Sequence, residues 1–237
     1  MNWLLCDLHI HTTLSDGVLT PRDVVDLYGE NNFDVIAITD HIWDKYTLKE
    51  KTEADKPVQG VLEKDFDKYL KILKNESERA WRKYNMLVIP GVEVTNNHSF
   101  YHILGIDVKN YVDPTMSVTQ IVKALKKQNA LIIAAHPDMK IQDEKYYSRH
   151  LWENREKYRS LFDAWEVANR NDLYNYVGLR KYNYVANSDF HKPSHIYSWK
   201  TLIKAEKNIE SIKHAIKQNK HVAIYLMRKN RNGGKPY

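Results

Sequence analysis

His9 and His11 stand one residue apart in Asp7-Leu8-His9-Ile10-His11, and Asp189 and His191 repeat that spacing in Ser188-Asp189-Phe190-His191. In an extended strand residues i and i+2 point to the same side, so each pair can present two donor groups to one point. One His-x-His is a weak signal on its own. The signal strengthens because other polar residues occupy the same kind of place. Ser15-Asp16-Gly17 follows the first pair, and Thr39-Asp40-His41, Gly91-Val92-Glu93, His102, Ala135-His136-Pro137 and Glu166 each sit at or beside the end of a short apolar run. Histidines on helix faces would read as core residues, and charge runs as solvated surface; these fit neither description. Imidazole together with carboxylate suits zinc, manganese or iron, not calcium or magnesium alone. These ligands exceed what one ion needs and would fill two or three sites, with a carboxylate bridging two ions. Adjacent ions activate water, orient a phosphate and stabilise the oxygen that leaves.

The elements that must hold these residues can be read from periodicity. Strand-like runs are Trp3–Leu8, Asp34–Ile38, Met86–Val92, Tyr101–Ile106, Leu131–Ala135, Ala164–Val167, Tyr184–Asn187 and Val222–Ile224. Helical segments lie between them. Thr20-Pro21-Arg22-Asp23 opens one with a good N-cap, a proline in the first turn and an acid at the positive helix end. Ser117-Val118-Thr119-Gln120 has the capping-box pattern, and Val118, Ile121, Val122 and Leu125 follow on one face. Ile209, Ile212 and Ile216 repeat that spacing, and Glu63–Tyr84 forms a long charged helix with Phe66, Tyr69, Leu70 and Leu73 as its stripe. Such alternation predicts an α/β fold with a mainly parallel sheet, closed or nearly closed into a barrel. In such barrels chemistry lies at the carboxyl ends of the strands, where the polar residues above fall.

The 237 residues and the 43% hydrophobic fraction suffice for one sizeable core. Because strand and helix signals run evenly, residues 1–227 read as one barrel domain. Residues 228–237, with Arg228-Lys229-Asn230-Arg231 and Gly233-Gly234-Lys235, read as a flexible basic tail, either solvated or touching a polyanion. The net charge of +6 leaves room for anionic partners, although the lysines are scattered. Cys6 is the only cysteine, which excludes internal disulfides and thiolate zinc fingers. Its apolar neighbours mark it as buried and structural. No apolar run approaches the roughly 20 residues needed to span a bilayer. The start lacks a signal-peptide pattern, so the expectation is a cytoplasmic protein without a membrane partner.

Taken together, Asp7-Leu8-His9-Ile10-His11-Thr12, Ser15-Asp16-Gly17, Ile38-Thr39-Asp40-His41, Pro90-Gly91-Val92-Glu93-Val94, His102-Ile103-Leu104-Gly105, Ala135-His136-Pro137, Trp165-Glu166-Val167 and Ser188-Asp189-Phe190-His191 resemble the PHP superfamily of polymerase-and-histidinol-phosphatase phosphoesterases. The resemblance covers residues 5 to 205, in the family's order. It implies a distorted (β/α)7 TIM-like barrel, a trinuclear site of zinc, manganese or iron, and phosphoester hydrolysis through a metal-bridging hydroxide. Carried over, His9, His11, Glu93 and Asp189 resemble the ligands of one ion. Glu93, His102 and His136 resemble those of a second, and Asp16, His41 and His191 those of a third, with Asp16 standing where some members have histidine. Glu93, Asp189 and His191 would also be catalytic. His98 rivals His102, which is preferred for its place before Ile103-Leu104-Gly105. Asp40 is expected to accept a hydrogen bond from a ligand imidazole; Glu166 and Asn169 line the pocket or serve the fold. Arg170, Lys192, His195 and Lys200 are candidate substrate contacts. The expected substrate is a nucleotide or other small phosphorylated metabolite. Alternatives are end-trimming of DNA or RNA, histidinol phosphate hydrolysis, and a metal-stabilised binding module without catalysis. Oligomeric state is left open.

Overall fold

The structure, a computed structural model, describes residues 2–53, 60–138 and 149–229. Strands β1 (Asn2–Ile10), β2 (Val35–Ile38), β3 (His41–Trp43), β4 (Leu87–Asn96), β5 (Tyr101–Ile106), β6 (Leu131–Ala134), β7 (Ala164–Ala168), β8 (Tyr184–Ala186), β9 (Trp199–Ala205) and β10 (Val222–Leu226) are interleaved with helices. The helices are α1 (Pro21–Glu30), α2 (Lys45–Glu53), α3 (Phe66–Tyr84), α4 (Val118–Lys127), α5 (His150–Glu153), α6 (Arg155–Tyr158), α7 (Asn175–Leu179) and α8 (Ile209–Gln218).

Local chemistry sets the long helices. Thr20 caps α1 by accepting from the Asp23 amide at 3.2 Å. At the start of α4 the Ser117 amide donates to Gln120 Oε1 at 3.0 Å, and Val118, Ile121, Val122 and Leu125 are buried. The long helix begins at Phe66 rather than Glu63, since Glu63–Asp65 winds as a tighter turn. It stops at Asn85, whose φ of 50° is left-handed. It packs on β4 and α1, so it forms barrel wall.

The sheet runs β10-β9-β1-β2-β4-β5-β6-β7-β8, with β3 also on β4. It is nearly closed: β8 lies beside β9 and β10, the Ala186 amide donates to Thr201 Oγ1 at 2.9 Å, and Ile10 bridges Phe190. The sheet is more mixed than expected. β1–β2, β2–β4, β3–β4, β6–β7 and β7–β8 are parallel, whereas β4–β5, β5–β6, β1–β9 and β9–β10 are antiparallel. β4 and β5 are joined by a short turn, which forces antiparallel pairing. β9 escaped the sequence reading because Lys200 interrupts its apolar pattern. That lysine is fully buried and meets Asp7 of β1 at 3.4 Å, a partner no local window reveals.

Alternating strand residues feed two apolar layers. Ile36, Ile38 and Val88 pack with Val24 and Tyr28 of α1, Leu73 of α3 and Leu125 of α4. Leu8, Val35, Ala37, Ile89, Leu104 and Ile133 gather with Ile212 and Ile216 of α8. Ile89 and Glu93 share a face of β4, as Leu104 and His102 do on β5, so the polar cluster continues this second layer beyond its apolar floor. Cys6 is fully buried in that floor, and burial pushes its thiol well up, as befits a structural residue. Of the proposed basic tail, residues 230–237 lie outside the described residues; Arg228 and Lys229 are exposed.

Candidate metal centre

A β-bulge sets the direction of the first two histidines. β1 gains a residue on β2 between Asp7 and Ile10, so the alternation shifts there. Asp7 turns toward Tyr28 of α1, its Oδ2 accepting from the tyrosine hydroxyl at 2.8 Å, whereas His9 and His11 face the polar cluster. Glu93 is the centre of that cluster. Its Oε2 lies 3.3 Å from His9 Nε2, 3.3 Å from His11 Nε2 and 3.0 Å from His41 Nδ1. Its Oε1 lies 2.9 Å from His102 Nδ1 and 3.1 Å from His136 Nε2. Asp189 Oδ1 stands 3.6 Å from His9 Nε2 and 3.5 Å from both His11 Nε2 and His191 Nδ1. Asp16 Oδ1 stands 3.6 Å from His41 Nε2 and 3.4 Å from His191 Nε2.

The nine residues singled out as ligands converge, and eight of them fall into overlapping groups; Asp189 stands beside the first, 3.6 Å from His9 Nε2 and 3.5 Å from His11 Nε2, without belonging to any. His9, His11 and Glu93 form one group; Glu93, His102 and His136 a second; His11, Asp16, His41 and His191 a third. Within each, one donor atom per residue lies within 4.8 Å of the others. His11 belongs to two groups, an overlap the residue-by-residue expectation lacked. His98 is not among them: it lies in the exposed turn between β4 and β5, stacked on Tyr46.

Backbone conformation aids the convergence. Asp189 (φ 51°) and His136 (φ 23°) both occupy the left-handed region at strand ends, an arrangement that costs free energy and recurs at functional sites. Gly17 packs so closely that an added Cβ would stand 2.4 Å from the His11 carbonyl oxygen, which holds the Asp16 turn against β1.

A surrounding ring of polar groups fixes the imidazoles. Glu166 is fully buried: Oε1 lies 2.9 Å from His9 Nδ1 and accepts from Asn187 at 2.8 Å, while Oε2 accepts from the His136 amide at 2.7 Å. These bonds tie it to His9, Asn187 and the backbone of His136. Asp40 departs from expectation. It accepts from the Thr12 amide at 2.7 Å and from Ser15 Oγ at 2.6 Å, and Ser15 rather than Asp40 approaches His11 Nδ1, at 3.5 Å. Thr95 (2.7 Å from His41 Nδ1) and Asn97 (2.9 Å from His102 Nε2) went unnoticed in the sequence. Their i+2 and i+4 places after Glu93 were the available signal.

The candidate substrate contacts divide. Arg170 Nη1 lies 2.5 Å from Asp189 Oδ2 and also donates to the Asp189 carbonyl, so it braces that carboxylate at the cluster's edge. His195 accepts at Nδ1 from the His191 amide at 3.1 Å, and Lys192 is exposed. Lys200 is removed from the set: it is fully buried, donating to Ser198 Oγ at 2.9 Å and facing Asp7. Asn169 is buried, and its Oδ1 accepts from the Asn171 amide at 2.8 Å.

Electrostatics follow from burial and crowding. Burial would raise the Glu93 carboxyl, but the imidazoles of His41, His9 and His102 hold it well below the usual carboxylate range. Asp189 is held low against burial by Arg170, then His9 and His191. Burial would lower His9 and His11; the surrounding carboxylates prevail and raise both, His11 to about 9. His41 is pushed well down by burial. Burial and the Arg170 cation push His195 down to about 4.

Buried polar atoms are normally hydrogen-bonded, and leaving one unmet costs about 1–3 kcal/mol. Here His9 Nε2, His11 Nε2, Asp16 Oδ1, Glu93 Oε2 and His136 Nδ1 are buried without a hydrogen-bond partner. His9 Nε2 and His11 Nε2 each lie 3.3 Å from Glu93 Oε2, and Asp16 Oδ1 adjoins His41 and His191; His136 turns Nε2 to Glu93, so its open atom is the other ring nitrogen. A set of imidazoles and carboxylates left open in this way fits divalent transition metals.

This is the construction of an α/β barrel with groups able to hold metal ions gathered at the strand ends. The PHP domain model matches residues 7–228, and the chain belongs to the PHP domain family. It is 26% identical over 129 residues to a 5'-3' exoribonuclease of Haemophilus influenzae, covering 54% of this chain and 37% of that protein. The chain thus spans little more than a third of the length of that curated relative. Among solved structures, it is similar to a two-domain protein of Bacteroides vulgatus containing a predicted PHP-like metal-dependent phosphoesterase. That match has a TM-score of 0.69 and 22% identity, covering 95% of this chain and 65% of the other. PsfC of Pseudomonas syringae matches with a TM-score of 0.57 and 14% identity over 96% and 93% of the two chains. At these identities the structures speak to the fold, a distorted TIM-like barrel. No helix among the described residues is long and apolar enough to cross a membrane.

Proposed function

We propose that the protein is a metal-dependent phosphoesterase, hydrolysing a phosphate ester of a nucleotide or another small phosphorylated metabolite. The observation that carries this reading is the convergence of buried, unpartnered donor atoms on Glu93. His9, His11, Glu93 and Asp189 would hold one ion, Glu93, His102 and His136 a second, and Asp16, His41 and His191 a third. Zinc, manganese or iron bound there would supply activation of water and neutralisation of the phosphate oxygens. The chain's own residues do the rest. Glu166 keeps His9 in one orientation, with Nδ1 engaged and Nε2 turned to the centre. Arg170 keeps Asp189 ionised and in place. Arg170, Lys192 and His195 lie along the His191 edge, where cationic or donor groups would meet the non-reacting part of an anionic substrate. Glu93, Asp189 and His191 are the residues whose loss should stop turnover.

A second reading, trimming of RNA or DNA ends, is favoured by the exoribonuclease similarity and by the net charge of +6. A screen of mononucleotides, bisphosphorylated nucleosides, sugar phosphates and short oligonucleotides, with zinc, manganese or iron added, separates the two. Phosphate release from small esters alone supports the first, and shortened oligonucleotides the second. Absence of bound metal together with absence of turnover on every ester would sink both.

A further inference from the structure

Beyond the metal cluster, one exposed feature lacks a structural purpose. Tyr46, half-exposed at 50%, stacks on the exposed His98 with ring centroids 4.6 Å apart and planes 27° from parallel. Large exposed aromatics contribute little to a core, and a single one needs no explanation. This pair is different because it is held in place. Asp44 is buried and accepts four hydrogen bonds. They come from the amides of Tyr46 (2.9 Å) and Thr47 (3.1 Å), from Thr47 Oγ1 (2.6 Å), and from the Asn97 amide across the gap (3.0 Å). One buried carboxylate therefore ties the start of α2 to the β4–β5 turn and sets the two rings face to face. The same Asn97 reaches back with its side chain to His102, 2.9 Å away.

The pair also stands in a useful place. It lies beyond the carboxyl ends of β3 and β4, on the side of the barrel that carries Glu93. β4 continues three residues past Glu93 before its turn, roughly 10 Å at about 3.3 Å per residue. That height is comparable to the reach of a nucleotide from phosphate to base. Lys45 adds a cation 5.2 Å from the Tyr46 ring centroid.

We propose that Tyr46 and His98 form a stacking subsite for the base of a nucleoside phosphate whose phosphate lies at the Glu93 cluster. This rests on the phosphoesterase reading above and adds its substrate class: an ester with an aromatic heterocycle, rather than a sugar phosphate or an amino-alcohol phosphate. Stacking tolerates any base, since every base has a π-face, so the subsite selects nucleotides without choosing among them.

The test compares AMP with glycerol phosphate on the zinc-loaded full chain. Removing a stacking ring costs about 1–3 kcal/mol per base, and 1.4 kcal/mol is about tenfold. Tyr46→Ala should therefore lower the ratio of kcat/KM for AMP to that for glycerol phosphate about 5- to 150-fold. Tyr46→Phe, which keeps the ring, should restore the ratio. An unchanged ratio in Tyr46→Ala overturns the subsite, because a merely structural role would slow both esters alike. Direct binding gives an independent answer. AMP should shift the ring-proton resonances of His98 in the wild type, and glycerol phosphate should not. If neither ester is turned over, the His98 resonances decide the stacking, and the phosphoesterase reading is judged by the wider ester screen above. No response to AMP at saturation ends the proposal.

Discussion

Two polar clusters lie buried within a few residues of each other, and they are built on opposite terms. In the first, Asp7 faces Lys200 and accepts from Tyr28 (2.8 Å), the Ser188 amide (2.9 Å) and Ser188 Oγ (2.6 Å). Every group there has its partner, as a structural network requires. In the second, around Glu93, donor atoms of His9, His11 and His136 and a Glu93 oxygen are buried with none. β1 serves both: its bulge sends Asp7 to one and His9 and His11 to the other. Ser188 and Asp189 are likewise neighbours divided between them. The satisfied cluster positions the chain. The unsatisfied one leaves donor atoms open to a group from outside the chain, and imidazole with carboxylate suits a divalent transition metal there.

The largest expected effect lies in the second cluster. Glu93→Gln removes the carboxylate shared by two ligand groups. Ions per chain, read by elemental analysis, should fall, and hydrolysis should drop on the order of 10³-fold, since ions contribute several kcal/mol of charge stabilisation. Unfolding of the chelated protein should change little by comparison. Full metal content in Glu93→Gln would remove Glu93 from the centre.

Lys200→Met is the matching change in the first cluster. It leaves Asp7 buried and uncompensated, and breaking a buried pair this way costs about 3–5 kcal/mol. Urea unfolding should show that loss, and Asp7→Asn combined with Lys200→Met should recover most of it. If Lys200→Met unfolds like the wild type, the ion pair carries no weight and the contrast between the clusters fails.

The same contrast explains what could be read without a structure. The strand-end position of these histidines and acids was legible because barrel chemistry sits where strands stop, and strands show in local periodicity. The pairing order and the antiparallel steps depend on turn lengths and closure, which the pattern does not encode. Lys200 misled the reading because its partner is 193 positions earlier, making a buried strand residue look like a surface cation. Asp40 misled it on a finer scale: it was expected, with the family resemblance, to accept from a ligand imidazole, but its hydrogen bonds go to the Thr12–Ser15 turn. Glu166 was noticed and left undecided, since its bonds to His9, Asn187 and His136 join three distant segments.

A smaller effect should appear with pH. In the metal-free protein His9 and His11 are raised above their ordinary value of 6.5, His11 to about 9. Between pH 6.5 and 9 the folded state then holds protons that the unfolded state has released. Folding stability must fall as pH rises through that window. Metal ligation needs neutral imidazoles, so bound ions act in the opposite direction. Melting of chelated protein should shift down from pH 6.5 to 9, and the gain in Tm on adding zinc should widen across the same interval. A constant gain would mean that these histidines do not exchange protons for ions.

The smallest effect tests where the two kinds of cluster meet. Ser15 donates to Asp40 at 2.6 Å and its oxygen stands 3.5 Å from His11 Nδ1, so it belongs to a satisfied turn while touching an open ligand. Ser15→Ala removes one acceptor bond of a buried carboxylate that keeps its Thr12 amide and hydroxyl partners. The cost should be about 1 kcal/mol in unfolding free energy, the net worth of one hydrogen bond when other donors remain. Metal content should be preserved if Ser15 serves the turn, because at 3.5 Å its hold on His11 is marginal. A loss of one ion per chain would instead make Ser15 the group that orients His11, as Glu166 does for His9, and would move the boundary between the two clusters inward by one residue.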